Sequence, residues 1–364
     1  MLKPIVIAAG GTGGHMFPAE ALADALMTRG QRVVLMTDAR SGALKSPVFA
    51  ACERHIVAGA GLAGRGPARV ASGVMQLARG TRAARRILGE LDAAALVGFG
   101  GYPSVPPVLA TLGLRTRPVV ILHDQNAVLG RANRLLARFA DHLALSFEKT
   151  ASVPGKIKTT LTGNPVRPAV VALAGAAYEA PEQRVRLLVL GGSLGARIFA
   201  TLIPAALALL PEELRTRIEL VMQCPEAEIE AARSVLNVSG IAHEVAPFFG
   251  DVAGRLAAAH LAIARAGGST VAELAVIGRP AIFIPLAIND DQRHNADALA
   301  RKGGAIRLDQ ATTTPAILAR AIETLLDAPD HLALMADVAA RAGIADATTR
   351  LADLVQALVA ERVS

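Results

Sequence analysis

The sequence predicts an α/β protein made of two doubly wound parallel sheets, each covered by helices on both faces. Three observations carry that expectation. The chain has 364 residues, beyond the roughly 250 to 300 at which one hydrophobic core stops growing. Short apolar runs rich in β-branched residues alternate with longer stretches of helical periodicity, and this βαβ rhythm runs through the chain twice. Hydrophobic residues make up 52% of the chain and aromatic residues only 3%, the composition of buried strands packed between helices.

Taken in order, residues 4–9, 32–37, 94–98, 118–122 and 142–145 read as strands, each an apolar run of strand length. Helices are expected near 17–28, 68–88, 104–112 and 129–138. The rhythm pauses at Gly163-Asn164-Pro165-Val166-Arg167-Pro168, a run of turn formers, and a polar stretch at 178–184 follows, so the hinge belongs there. It restarts at 185–190 and continues through 218–222, 260–264, 280–285 and 305–308. Residues 330–362 read as helical throughout. The expected domains are therefore 1–165 and 166–340, with a last helical segment, 341–364, that crosses back to brace the first.

Charge is unevenly shared. Residues 1–165 carry 20 Lys/Arg against 9 Asp/Glu, a net of +11, whereas residues 166–364 carry 18 against 22, a net of −4. A basic half suggests nucleic acid or an anionic membrane, and the scarcity of aromatic residues removes the stacking platforms of single-strand binders. No nucleic-acid partner is expected. Cys52 and Cys224 stand alone and far apart, which excludes a disulfide framework or a cysteine metal site and fits a reducing compartment. The opening apolar run, 5–9, breaks at Gly10-Gly11 and is too short for a signal-peptide core or a membrane span.

Four glycine turns follow predicted strands. The first, Gly10-Gly11-Thr12-Gly13-Gly14-His15, lets backbone approach a ligand and opens a helix whose amides suit an anion. It misses the dinucleotide fingerprint, since Met16 stands where the last glycine belongs, although Asp38 at the end of the second strand keeps a nicotinamide reading open. Gly155-Lys156 lacks the remainder of a P-loop. The others are Gly98-Phe99-Gly100-Gly101-Tyr102, Gly191-Gly192-Ser193-Leu194-Gly195-Ala196 and Arg265-Ala266-Gly267-Gly268-Ser269-Thr270 with Glu273 one turn on. Ligands of open α/β sheets sit at the carboxyl ends of strands, so these turns belong to one binding cleft.

These segments, with His123-Asp124-Gln125-Asn126 and Gly163-Asn164-Pro165-Val166-Arg167, resemble in order and spacing the successive motifs of the MurG family of glycosyltransferases (glycosyltransferase family 28). The resemblance implies a GT-B fold, two Rossmann-like domains facing an interdomain cleft. It implies a metal-independent, inverting transfer of N-acetylglucosamine from UDP-N-acetylglucosamine to a lipid-linked muramyl-pentapeptide, with no cofactor, in peptidoglycan synthesis on the cytoplasmic face of a bacterial inner membrane. Cell-wall synthesis and division proteins are the implied protein partners. By matching position, Thr12, Gly13 and Gly14 meet the donor's sugar and diphosphate side, and Asn126 meets N-acetylglucosamine. Arg167 and Ser193 bind diphosphate, the Phe249 backbone reads uracil, Ser269, Thr270 and Glu273 hold phosphate and ribose, and Gln292 bonds sugar hydroxyls. Asp291-Gln292-Arg293 departs from the family's usual His-Gln or Gln-Gln.

Such a transfer needs a base for the attacking hydroxyl. His15, at a helix entrance and of a type tunable near neutrality, is the expected one, with Asp124 and Glu148 as alternatives. The lipid acceptor gives the basic half a purpose. Arg69, Arg79, Arg82, Arg85 and Arg86 alternate with Val70, Val74 and Leu77 at near-helical spacing, a pattern suited to lying on an anionic leaflet. Three other readings stay open: a sugar-nucleotide enzyme of the same architecture, such as a UDP-N-acetylglucosamine 2-epimerase, a nicotinamide-dependent oxidoreductase, and a non-catalytic nucleotide sensor.

Overall fold

A computed structural model describes residues 3–11, 13–39, 41, 46–58, 67–192, 196–286 and 290–363, without the side chains of 67–70 and 363. Its residues group into two compact units, Met1–Arg167 with Asp346–Ser364, and Pro168–Ala345. The polypeptide thus leaves the first unit at the turn-rich 163–168 segment and returns to it for the final helix.

In the first unit, β1 (Ile5–Ala8) leads into α1 (Gly13–Thr28) and β2 (Val33–Thr37). A short α2 (Pro47–Ala50) precedes β3 (Glu53–Ile56), and the long α3 (Pro67–Leu91) precedes β4 (Ala95–Gly98). A single 3-10 turn opens α4 (Val105–Ala110), and β5 (Val119–Asp124), α5 (Arg131–Leu136), β6 (His142–Leu145) and β7 (Lys158–Leu161) follow. The strands form a seven-stranded sheet, ordered β3-β2-β1-β4-β5-β6-β7, in which every pairing is parallel. Its central strands are buried along their full length, as both-face coverage requires.

The second unit opens with α6 (Pro168–Val171) and β8 (Val185–Leu190). It continues through α7 (Arg197–Ala208), α8 (Glu212–Arg215), β9 (Ile218–Gln223), α9 (Ile229–Val238), β10 (Ala242–Ala246), α10 (Val252–Ala258), β11 (Leu261–Ala264) and α11 (Gly268–Ile277). Then come β12 (Ala281–Phe283), α12 (Asp290–Ala300), β13 (Ala305–Arg307), α13 (Pro315–Leu326) and α14 (Pro329–Ala342). The six-stranded sheet, ordered β10-β9-β8-β11-β12-β13, is also parallel throughout. The last helix, α15 (Ala347–Val363), sends Leu351, Ala352 and Val355 into the first unit's core beside Leu22 and Leu26 of α1.

Three strands were missed from the sequence, β3, β7 and β10. All three lie at sheet edges, with the half-exposed sequences Glu-Arg-His-Ile, Lys-Thr-Thr-Leu and Ala-His-Glu-Val-Ala. An edge strand has one covered flank at most, so it lacks the continuous apolar run by which buried parallel strands are recognised. The first helix also starts earlier than expected. Gly13, Gly14 and His15 form its first turn, and Pro18 sits inside it, so glycine there does not delay the helix.

Candidate active site

Strand order decides where the glycine turns go. In both sheets the order of strand addition reverses once, between β1 and β4 in the first and between β8 and β11 in the second. The four turns noted in the sequence follow those four strands, so each unit carries a pair of them at the carboxyl side of its switch point. That is the position at which open α/β sheets bind ligands.

In the first unit, β1 and β4 end side by side, with Ala8 in register with Gly98. Gly10 allows the two turns to meet, because a Cβ there would stand 2.7 Å from Pro103 Cγ and 2.8 Å from Asp38 Oδ2. Gly100 and Gly101 both have positive φ, 82° and 68°, a conformation that favours glycine. The Asp38 carboxylate, which kept the nicotinamide reading open, accepts from Ser41 N at 2.7 Å and from Ser41 Oγ at 3.2 Å. Ser41 Oγ in turn accepts from Gly11 N at 2.6 Å. Asp38 therefore pins the first glycine turn from below.

His15 crosses from this turn to the next strand. Its Nδ1 lies 2.8 Å from the Phe99 carbonyl oxygen and 2.7 Å from Gln125 Nε2, so the ring joins the ends of β1, β4 and β5. A carbonyl only accepts, so Nδ1 carries the ring proton and Nε2 is the basic nitrogen. Nε2 borders the Gly101 turn, 3.5 Å from where a Cβ on that glycine would stand.

The two carboxylates considered as alternative bases have other employment or other surroundings. Asp124, 2% exposed, accepts from Asn126 N at 3.0 Å, Gly130 N at 2.8 Å and Asn133 Nδ2 at 3.0 Å. It shapes the loop that presents Asn126. Burial raises its pKa while these donors oppose the rise. Glu148 is exposed, on the segment after β6. Arg167, the last residue of this unit, stands with its guanidinium carbon 6.0 Å from the ring centroid of the half-exposed Phe17. Thr12 lies outside the described residues.

The second unit repeats the arrangement. Gly192 has φ 81° in the turn after β8, while Ser193 lies outside the described residues. After β11, Gly267 caps α11, and Ser269 and Thr270 occupy its first turn, where backbone amides lack helical acceptors. Glu273, 7% exposed, lies one turn further on. Two residues hold this turn. Arg265, 8% exposed, donates through Nη1 to the Ile284 carbonyl at 2.7 Å and rests 4.9 Å from the Phe199 ring centroid. Burial lowers its pKa. Asn295, fully buried on α12, donates from Nδ2 to the Ala266 carbonyl at 3.0 Å. Sequence reasoning assigned Asn295 no role, because an asparagine two residues after a polar Asp290-Asp291-Gln292-Arg293 cluster reads as one more exposed polar residue.

Gln292 accepts through Oε1 from Leu286 N at 2.9 Å, so one end of its amide anchors the segment after β12. The Phe249 side chain is 5% exposed beneath Arg255, whose guanidinium carbon is 4.3 Å from the ring centroid. Arg255 is itself held by Glu244 at 2.6 and 2.8 Å. With its ring packed inward, Phe249 has only its backbone to offer a ligand.

These features define a class. Residues 5–145 match the glycosyltransferase family 28 N-terminal domain and residues 186–351 match the glycosyltransferase family 28 C-terminal domain, and two parallel-sheet Rossmann-like domains are the GT-B architecture. Among curated relatives, a UDP-N-acetylglucosamine--N-acetylmuramyl-(pentapeptide) pyrophosphoryl-undecaprenol N-acetylglucosamine transferase from Acidiphilium cryptum is 70% identical, over 100% of this chain and 99% of its own length. Its counterpart from Granulibacter bethesdensis is 55% identical, over 97% of this chain and 93% of its own. The crystal structure of Acinetobacter baumannii MurG is similar with a TM-score of 0.79 at 30% identity, covering 97% of this chain and 99% of that one. The chain belongs to the MurG family.

Proposed function

We propose that the protein transfers N-acetylglucosamine from UDP-N-acetylglucosamine to the C4 hydroxyl of undecaprenyl-pyrophosphoryl-N-acetylmuramyl-pentapeptide, inverting the anomeric centre and releasing UDP. The observation that carries this reading is 70% identity, over the full length, to a relative named for that donor and acceptor.

The acceptor C4 oxygen attacks the anomeric carbon as the bond to the UDP oxygen breaks on the opposite face. His15 Nε2 takes the hydroxyl proton, and its Nδ1–H stays on the Phe99 carbonyl, which stabilises the imidazolium as it forms. Charge builds on the leaving diphosphate. Arg167 and Ser193 are assigned to it, and the first-turn amides of α11, with Ser269 and Thr270, supply fixed dipoles for an anion. Glu273 takes the ribose hydroxyls and the Phe249 backbone takes uracil. Asn126 and Gln292 bond the donor sugar, with Thr12, Gly13 and Gly14 along its diphosphate side.

Membrane attachment is assigned to α3. No helix among the described residues is long and apolar enough to cross a membrane. Beyond residue 70, α3 exposes Val74 and Met75, 53% and 56% accessible, together with Arg79, Arg82, Arg85 and Arg86. Leu77 is half-buried, and the side chains of Arg69 and Val70 lie outside the description. Apolar tips flanked by guanidinium groups suit peripheral binding to an anionic cytoplasmic leaflet, where the acceptor's lipid resides.

The test is transfer of radiolabelled N-acetylglucosamine to a short-chain analogue of the lipid-linked acceptor. Wild-type protein forms the disaccharide, and His15→Ala loses about 10²- to 10⁴-fold in kcat, the usual contribution of a positioned base, while titration calorimetry finds UDP affinity retained. Donor consumption without a lipid-linked product would replace this reading with an epimerase or hydrolase.

A further inference from the structure

His15 Nδ1 has two neighbours that cannot both be satisfied as they stand. The Phe99 carbonyl at 2.8 Å requires a proton on that nitrogen. Gln125 Nε2, at 2.7 Å, is also a donor, so two N–H groups face each other. At the other end of the same amide, Gln125 Oε1 is buried with no hydrogen-bond partner, in a residue only 6% exposed. Leaving a buried acceptor unsatisfied costs its desolvation with no bond in return. Turning the amide by half a revolution about its last bond removes the donor–donor contact and gives the oxygen a donor in His15 Nδ1–H, with the amide N–H groups taking the place the oxygen leaves. The two ends of a glutamine amide have the same shape and are told apart only by their hydrogen bonds.

We propose that Gln125 is a positioning residue for the transfer, its Oε1 accepting from His15 Nδ1–H together with the Phe99 carbonyl, so that the two acceptors lock the imidazole in the tautomer with a basic Nε2. This rests on the reading of His15 as the base. The clamp draws on two strand ends: Phe99 follows β4, and Gln125 follows Asp124, the last residue of β5. A single acceptor would still let the ring rotate about it, whereas two fix its plane. The loop is stiff enough to serve, because Asp124 ties it at Asn126 and Gly130. Among the described residues, titratable groups that feel the charge of His15 include Asp124 and His123 at the end of β5. On the side of the 98–104 turn, a Cβ on Gly100 or on Gly101 would stand 3.5 Å from the His15 ring.

The test compares Gln125→Glu, which keeps an acceptor and cannot donate, with Gln125→Leu, which has neither, in the radiolabel transfer assay across pH. The expected result has three parts. Gln125→Leu loses about tenfold or more in kcat with little change in donor KM. Gln125→Glu recovers most of that rate above neutrality. Its acid limb of kcat/KM moves upward by about one pH unit, because a carboxylate against Nδ1–H stabilises the imidazolium. Nitrogen NMR of ¹⁵N-histidine protein, with His15 assigned by its loss in His15→Ala, shows Nδ1 protonated in the wild type and a mixed tautomer in Gln125→Leu. The proposal is overturned if Gln125→Glu is as impaired as Gln125→Leu at every pH, or if both variants raise KM alone, which would make Gln125 a substrate contact. The base reading fails separately, if His15→Ala retains the wild-type acid limb, and the NMR tautomer result stands or falls without it.

Discussion

His123, Asp124 and Gln125 are consecutive polar residues at the end of a central strand, and all three are buried. Their types suggested chemistry, and His15, two strands away in the sheet, is where the geometry for it assembles. His123 is structural: it is fully buried, its Nε2 lies 3.2 Å from the Gly163 carbonyl, and its ring centroid is 5.1 Å from that of Phe99. Burial pushes its pKa down to about 4. The folded value is below the unfolded one of about 6.5, so the unfolded chain takes up this proton first. Stability from this group is complete above about pH 6.5 and is lost as pH falls towards 4, about 3 kcal/mol in all. Asp124, shifted upward by burial, works in the opposite sense, gaining stability as pH falls. Urea unfolding at pH 7.5 and 4.5 of wild type and His123→Gln isolates the histidine. The wild type is expected to lose more stability than the variant, and equal losses would show that the imidazole is solvated. From sequence alone, a histidine beside an aspartate reads equally as base or as core, because only the neighbouring strands determine which side chains are covered.

At the scale of elements, α3 shows two uses of one amphipathic pattern. Ala84, Ile87 and Leu88 enter the core against β2, β4 and β5, while Val74 and Met75 face outward. Arg85 is tied back to the Gly113 carbonyl, and Arg86 to Glu90 at 3.7 Å. Charge reversal of Arg79 and Arg82 together should weaken sedimentation with vesicles rich in anionic lipid by more than tenfold, at about 1 kcal/mol for each arginine, with the difference shrinking in high salt. Neutral vesicles are the control, and equal binding of both proteins would remove α3 from the membrane. Gly80, in the same helix, meets the 53–58 segment so closely that a Cβ would stand 2.0 Å from the Ala58 carbonyl oxygen. Glycine to alanine inside a helix ordinarily stabilises by about 1 kcal/mol. Gly80→Ala should instead destabilise by about 1–3 kcal/mol, as overpacking does, read as a lower thermal midpoint.

Across the whole molecule, the chain closes its first unit with its last helix. Leu351 of α15 is fully buried beside α1, and Arg29, just past the end of α1, reaches Asp353 and Gln356, each at 2.7 Å. Leu351→Ala is expected to cost about 2–5 kcal/mol through the first unit, although the residue lies far from it in sequence. Hydrogen exchange that accelerates in α1 and β1, with α7 and β8 unchanged, would place the loss there. General acceleration in both units would instead make α15 a global element.

The doubly wound class, the glycine turns and the central strands were legible because each is a local property: strand runs buried on both faces must be apolar throughout, and close backbone approach demands glycine wherever it occurs. What the tertiary structure alone decided are relations between segments distant in sequence. Strand order placed four separate glycine turns at two switch points. The edges β3, β7 and β10 became strands because neighbouring β2, β6 and β9 offered them hydrogen bonds, against the preference of their own polar residues. Asp38 became an anchor for Gly11, Asn295 a brace for Ala266, and Gln125 and Phe99 partners of His15. A residue type states which bonds a side chain is able to make, and only the packing of the elements settles which of them it makes.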